Sequence, residues 1–229
     1  MWYNIYVTLS KRGEKMAEES KHVPNVVINR LPRYYRYLGE LLAQGITKIS
    51  STELSHRMGV TASQIRQDFN FFGGFGQQGY GYNIEHLHNE IAEILRLNDG
   101  NAVIIIGAGN LGRALANHTG FERRGFRITA VFDKSSDAVG KTVNGITVMD
   151  ISELEDYISK NRVDIGVLTV PKAEVQEMAR RLVECGVRAI LNFSYAELDL
   201  PEGIAVENVH LSDPLMTLSY KLREMEASE

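Results

Sequence analysis

Gly107, Gly109 and Gly112 stand as G-x-G-x-x-G in "NAVIIIGAGNLGRALAN", directly after a run of apolar β-formers and at the start of a helical pattern. That spacing is suited to holding a nucleotide, not to making or breaking bonds. The first glycine permits a tight turn and the second lets the backbone approach a pyrophosphate. The third lets the following helix pack on the strand, with its N-terminus facing the negative charge. Ala108, Asn110 and Leu111 complete the turn. Asp133 ends the next apolar run, twenty-one residues after Gly112. A carboxylate there accepts hydrogen bonds from the adenosine ribose and repels a 2′-phosphate, which favours NADH or NAD+ over the phosphorylated forms. The alternative for Asp133 is a solvated turn acid. Thr169-Val170-Pro171 and Asn192-Phe193 end two later apolar runs, at the edge where such folds line a ligand crevice. Phe193 has the shape to cover a nicotinamide face, and both segments are equally suited to strand-end packing.

A second set of residues could read DNA. "TASQIRQDFNFFG" opens with Thr61-x-x-Gln64 and "SSTELSHRMG" with Ser50-x-x-Glu53, two capping-box patterns separated by Gly59. In the second helix Ile65, Phe69 and Phe72 fall on an inner face, while Ser63, Arg66, Gln67 and Asn70 fall outward. Two short capped helices joined by a tight link are a helix-turn-helix pattern, and Ser, Arg, Gln and Asn can hydrogen-bond base edges in a major groove. The following "GGFGQQGYGYNI" alternates glycine with aromatics as a β-hairpin would, with Gln77 to Tyr80 at its tip. The DNA-contacting candidates are Ser51, Ser63, Gln64, Arg66, Gln67, Asn70, Gln78 and Tyr80. An ordinary solvated face on a structural three-helix domain is the competing reading.

Catalytic chemistry finds no comparable motif. No nucleophile–base arrangement or metal-ligand cluster is patterned here, and Cys185 is the single cysteine, which excludes a disulfide within one chain and fits a reducing cytoplasm. His86 and His88 stand two apart on a helical pattern and point to different sides. His118 and His210 are isolated. The net charge of -4 hides an asymmetry. From Lys21 to Asn83 seven basic residues face three acidic ones, whereas from Gly100 onward fourteen face nineteen. A polyanion partner for the first half follows, or else a bland surface.

The elements that must position these groups divide the chain. Residues 1–22 read as a flexible extension whose opening, "MWYNIYVTLS", lies ahead of a natural start at Met16 and lacks the marks of a signal peptide or membrane span. Residues 23–98 read as a winged helix-turn-helix domain. Its first helix is "LPRYYRYLGELLAQG", with Leu31, Tyr34, Tyr35, Leu38, Leu41 and Leu42 near one face. A linker helix over 84–98 closes it, with Ile84, Leu87, Ile91, Ile94 and Leu95 apolar. Residues 99–209 alternate strand and helix as a Rossmann-type, doubly wound parallel sheet: "AVIIIG", "RITAVFD", "VDIGVLTV" and "VRAILNF" are its strands. Residues 210–229 form a C-terminal helix in which Leu211, Leu215, Leu218, Leu222 and Met225 recur at four-and-three spacing, a stripe suited to exchange between subunits.

A winged helix joined to an NAD-type Rossmann domain resembles the Rex family of redox-sensing repressors. The resemblance spans about Val23 to Met225 and rests on "RLPRYYRYL", "ISSTEL", "QIRQDFNFFGGFG", "GYGYN", "GAGNLGRALAN", "LTVP" and "ILNF". It implies a cytoplasmic homodimer that binds two-fold symmetric operator DNA while NADH is scarce and is released by NADH, without metal or turnover. It also implies that Arg36 couples the first helix to the cofactor domain, that Phe193 lies at the nicotinamide, and that the C-terminal helix crosses to the partner. His118 joins the cofactor-site candidates because members often carry Tyr there. Gln67 and Gln77-Gln78 replace residues commonly basic in the family, and Tyr195 stands where Pro is frequent. Fewer basic groups mean less phosphate attraction, hence weaker and less salt-dependent DNA binding. Two rivals to the NADH-released repressor are also compatible with the sequence: an NAD-dependent oxidoreductase with an accessory helical domain, and a repressor that answers to CoA or another nucleotide.

Overall fold

The computed structural model describes residues 23–72, 76–77 and 81–227. The expected flexible extension, Gln78 and Tyr80 lie outside these residues. The chain divides into two compact units at the boundary between Asn98 and Asp99.

The first unit opens with α1 (Asn25–Ile28) and α2 (Leu31–Ala43), the latter carrying a proline in its first turn. Leu31, Tyr34, Leu38 and Leu41 of α2 are buried, and Tyr35 and Leu42 pack against the same core. After a two-residue strand β1 (Lys48–Ile49) come α3 (Ser51–Met58) and α4 (Ala62–Asn70). The box at the start of α3 is complete: Ser50 Oγ accepts from Glu53 N–H, and the Glu53 carboxylate accepts from Ser50 N–H. Gly59 then caps α3 in the left-handed region at φ 63°, where a side chain is disfavoured.

The box at α4 is only half made. Thr61 Oγ1 accepts from Gln64 N–H, but the Gln64 side chain turns away to Asp68. The expected hairpin is present as β2 (Gly76–Gln77) and β3 (Gly81–Asn83), paired antiparallel with Gln77 opposite Gly81. Gln77 therefore lies in a strand, not at the tip. β3 also pairs with β1, giving the order β1-β3-β2. α5 (Ile84–Ile94) is capped by Asn83 and ends four residues short of the expected linker helix, because Arg96 takes a left-handed φ of 54°. Ile84, Leu87 and Ile91 seat it on the core, while His88 stacks on Tyr35 with ring centroids 4.1 Å apart.

The second unit is built on one sheet. Its strands are β4 (Asn101–Ile106), β5 (Phe126–Asp133), β6 (Thr142–Val143), β7 (Ile146–Asp150), β8 (Ile165–Leu168), β9 (Ala189–Asn192) and β10 (Ala205–Asn208). They lie in the order β10-β9-β8-β4-β5-β7-β6, all parallel except the β6–β7 pair. The order runs outward in both directions from β4, so the switch point falls beside it. The helices are α6 (Asn110–Ala116), α7 (Leu154–Lys160), α8 (Lys172–Glu184) and α9 (Asp213–Glu226).

β4 is buried along nearly its whole length. Its alternate residues feed two cores, with Ile104 and Ile106 in one and Val103 and Ile105 in the other. That two-sided burial is why it reads as an unbroken apolar run. β6, β7 and β10 lie beyond the expected strands. α9 buries none of its residues.

Candidate nucleic-acid and dinucleotide sites

In the first unit the outward face of α4 is as expected: Ser63, Arg66, Gln67 and Asn70 are all exposed. Arg66 donates to Ser51 Oγ at 2.9 Å, so the first residue of α3 steadies the arginine and leaves further guanidinium N–H groups free to donate. Gln64 is a correction. Its half-exposed side chain donates from Nε2 to Asp68 at 2.9 Å, so it helps hold the helix in place.

Asp68 is the residue that the sequence reading missed. It is fully buried on the inner face of α4, between Ile65 and Phe69. Its carboxylate takes two bonds from Arg30, each 2.7 Å, one from Tyr34 Oη at 2.8 Å, and the one from Gln64. Burial favours the neutral acid, yet the hydrogen bonds from Arg30, Gln64 and Tyr34 outweigh it and hold the carboxyl below the ordinary Asp range. The bonds to Asp68 raise Arg30. Burial first, then the same carboxylate, push Tyr34 up. One charged group thus pins α4 to the α1–α2 junction. A helical wheel places Asp68 inward, and a buried carboxylate demands a cation. Arg30, however, is thirty-eight residues away and carries no local signal. Arg36 is exposed on α2.

In the second unit the glycine turn follows β4 at the switch point. Gly107 has φ 105°, and a Cβ there would lie 2.8 Å from Thr169 Oγ1. A Cβ at Gly112 would overlap the Gly107 carbonyl oxygen, so helix and turn touch backbone to backbone. Gly109 is different: its φ of -67° suits any residue, and a Cβ would meet nothing within 4 Å. Among the described residues, no protein atom requires that glycine. Space left open against the backbone is what an approaching pyrophosphate needs, so the residues present fit a dinucleotide.

Around the turn, Thr169 Oγ1 donates to the carbonyl of Gly107 at 2.9 Å or that of Ile106 at 3.1 Å, which locks the turn from the neighbouring strand. Asp133 accepts from the Ala108 N–H with one oxygen and from the Ser135 N–H, at 2.8 Å, with the other. Its carboxylate is thereby aimed at the turn, with lone pairs remaining for ribose hydroxyls. Asn110 accepts from Arg113, Leu111 is half-buried, Val170 packs on the core below and Pro171 opens α8. Phe193 is half-buried at the end of β9, beside Leu191.

Two cofactor-contact expectations are redirected. Asn192 is fully buried, and its side chain is spent inside the protein: it donates to Ala196 O and Asn208 Oδ1, each 2.8 Å, and accepts from Ser194 N–H. His118 is exposed beyond the C-terminal end of α6, edge-on to Phe121 at 4.7 Å, at the other end of that helix from the glycine turn. Ser194, which was not singled out, is buried with a hydroxyl that meets no hydrogen-bond partner among the described residues.

Comparison with known proteins bears on both units. A model described as a CoA binding domain matches residues 98–196, and one described as a putative DNA-binding protein N-terminus matches residues 22–70. The redox-sensing transcriptional repressor Rex of Thermoanaerobacter pseudethanolicus is 54% identical over 92% of this chain and 94% of its own length. The Rex of Clostridioides difficile is 50% identical over 90% of this chain and 98% of its own length. A crystal structure of RSP with β-NAD+ and operator DNA superposes with TM-score 0.85 at 53% identity, covering 90% of this chain and 95% of that one. RSP with β-NADH gives TM-score 0.84 at 50% identity, covering 90% and 96%.

Proposed function

This chain belongs to the Rex family of redox-sensing transcriptional repressors, and from that membership we propose how its two units act together. The protein binds operator DNA while NADH is scarce and leaves it when NADH is bound. The observation that carries this reading is the pairing, in one chain, of an outward polar helix face pinned from within and a glycine turn with open space above Gly109. The family is one of repressors and not of enzymes, which removes the oxidoreductase alternative.

On the DNA side, Ser63, Arg66, Gln67 and Asn70 enter the major groove, with Ser51 steadying Arg66. On the dinucleotide side, the backbone from Gly107 through Gly112 cradles the pyrophosphate and Asp133 accepts from the adenosine ribose. Thr169, Val170 and Pro171 line the crevice, Asn192 shapes its edge, and Phe193 covers the nicotinamide. His118, at the far end of α6 from the glycine turn, takes no part in gripping the dinucleotide bound to its own chain. When bound, NADH supplies two phosphates, ribose hydroxyls and a reduced ring for these groups to grip.

Two copies assemble through α9. Leu211, Leu215, Met216, Leu218, Tyr220, Leu222 and Met225 are all exposed large apolar side chains, a patch that a soluble monomer rarely leaves uncovered. Arg36 couples the DNA-binding unit to the cofactor unit, and the working compartment is the cytoplasm. The two α4 helices of the dimer match an operator's half-site spacing in one geometry and lose it in the other, and NADH favours the second. Linkage then requires operator DNA to weaken NADH binding by the same factor that NADH weakens operator binding.

A gel shift with a palindromic operator, titrated with NADH and then NAD+, tests this. NADH releases the DNA and NAD+ does so far less. Equal NADH affinity with and without operator refutes the mechanism. The description of the matching domain model as CoA-binding favours one other reading, a repressor released by CoA, and the same gel with CoA as titrant decides between them.

A further inference from the structure

Lys134 directly follows Asp133, so one turn carries both the carboxylate meant for the ribose and a cation beside it. That ammonium is not free. Its Nζ lies 2.7 Å from Glu174 Oε1, in the first turn of α8. β5 and β8 flank β4 on either side, so this ion pair joins the two walls of the crevice past the carboxyl end of β4, where the glycine turn sits. The lysine side chain is 67% exposed and the glutamate 32%. Pairs this open to solvent contribute little to stability. Its consequence lies elsewhere. A free lysine next to a ribose-binding carboxylate is a ready receptor for a 2′-phosphate, to which ammonium groups bind as point charges.

We propose that Glu174 is a cofactor-selectivity residue: by engaging Lys134 it withholds that cation from a 2′-phosphate. It thereby sharpens the preference for NAD(H) over NADP(H) that Asp133 sets. The inference rests on the dinucleotide reading above and adds to it. Asp133 repels the extra phosphate, and Glu174 removes the neighbouring group that would otherwise compensate.

The test is the affinity of the full-length protein for NADH and for NADPH, each followed by its own nicotinamide fluorescence, in wild type, Glu174→Gln and the double variant Lys134→Gln/Glu174→Gln. Glu174→Gln raises the NADPH-to-NADH affinity ratio about fivefold, the scale of one exposed charge contact. The gain shrinks as salt is added, and the double variant returns to the wild-type ratio. Glu174→Ala repeats the result, and unchanged thermal unfolding shows that each variant is folded. A ratio within about twofold of wild type in Glu174→Gln, or a gain that survives loss of Lys134, overturns the proposal. Failure of wild type to bind NADH at all overturns the dinucleotide reading itself, and this inference with it.

Discussion

Replacing Asp68 with alanine removes the acceptor on which four side-chain hydrogen bonds converge. The Tyr34 hydroxyl, fully buried, then has a donor with no acceptor, which costs about 1–3 kcal/mol. The Arg30 side chain is 23% exposed, so its guanidinium recovers some water, and its share falls well below the roughly 3–5 kcal/mol of a fully buried broken pair. Gln64 is half-exposed and finds water instead. The total comes to about 3 kcal/mol, against the roughly 4–11 kcal/mol available to a unit of this size. Urea unfolding reads it directly. Asp68→Asn is nearly as damaging, since its NH2 group must face donors.

Tyr34→Phe supplies the control. Removing the orphaned hydroxyl makes the double variant cheaper than the sum of the two single ones, with a coupling of about 1 kcal/mol or more. The sign with pH follows from the depressed carboxyl. Its contribution is complete above the unfolded value of about 3.9 and is lost as pH falls through the lower folded value. Operator binding falls with the fold of this unit, while the dinucleotide affinity of the other unit persists. If Asp68→Ala cost less than about 1 kcal/mol, or added simply to Tyr34→Phe, the clamp would carry no energetic weight and the reasoning would fail.

Gly109→Ala and Gly112→Ala separate ligand space from packing space. The first unfolds like wild type but loses NADH affinity by about tenfold or more, because its new methyl occupies the opening. The second is destabilised by about 1–3 kcal/mol or more, because its methyl meets the Gly107 carbonyl; thermal unfolding and fluorescence titration distinguish them. Leu218→Asp combined with Leu222→Asp on α9 gives a monomer in analytical ultracentrifugation and abolishes operator binding, and a persistent dimer would place the subunit contact elsewhere.

Much of the fold was legible because burial writes itself into sequence. β4, β5, β8 and β9 lie within the sheet and read as apolar runs, and Ile65 and Phe69 mark the inner face of α4, with Phe72 buried just past its end. The strands that escaped notice had weaker or different marks. β10 is an edge strand, largely exposed, so it has no apolar run to show. The β6–β7 hairpin did have a signal: Asn144-Gly145, with φ 49° and 78°, is the turn pair that such hairpins require.

At the sites, types and spacing located the outward residues of α4 and the glycine turn, because helical periodicity and strand-end position are local properties. They did not foretell that Gln64 and Asn192 spend their amides inside the protein. Those partners are Asp68, itself held by Arg30 thirty-eight residues away, and Asn208, sixteen residues from Asn192. Polar residues at such places advertise hydrogen bonds without saying to whom.

The Asn192 knot has a mechanical side. Its side chain holds Asn208, and its carbonyl accepts from the Val209 N–H at 2.8 Å, only four residues before α9 begins. The chain therefore leaves the crevice edge through a joint with little slack and runs straight into a 14-residue helix. Such a helix is about 21 Å long, so a tilt of about 5° at its base carries its tip about 2 Å. Anything that rotates the end of β9 has a lever arm attached.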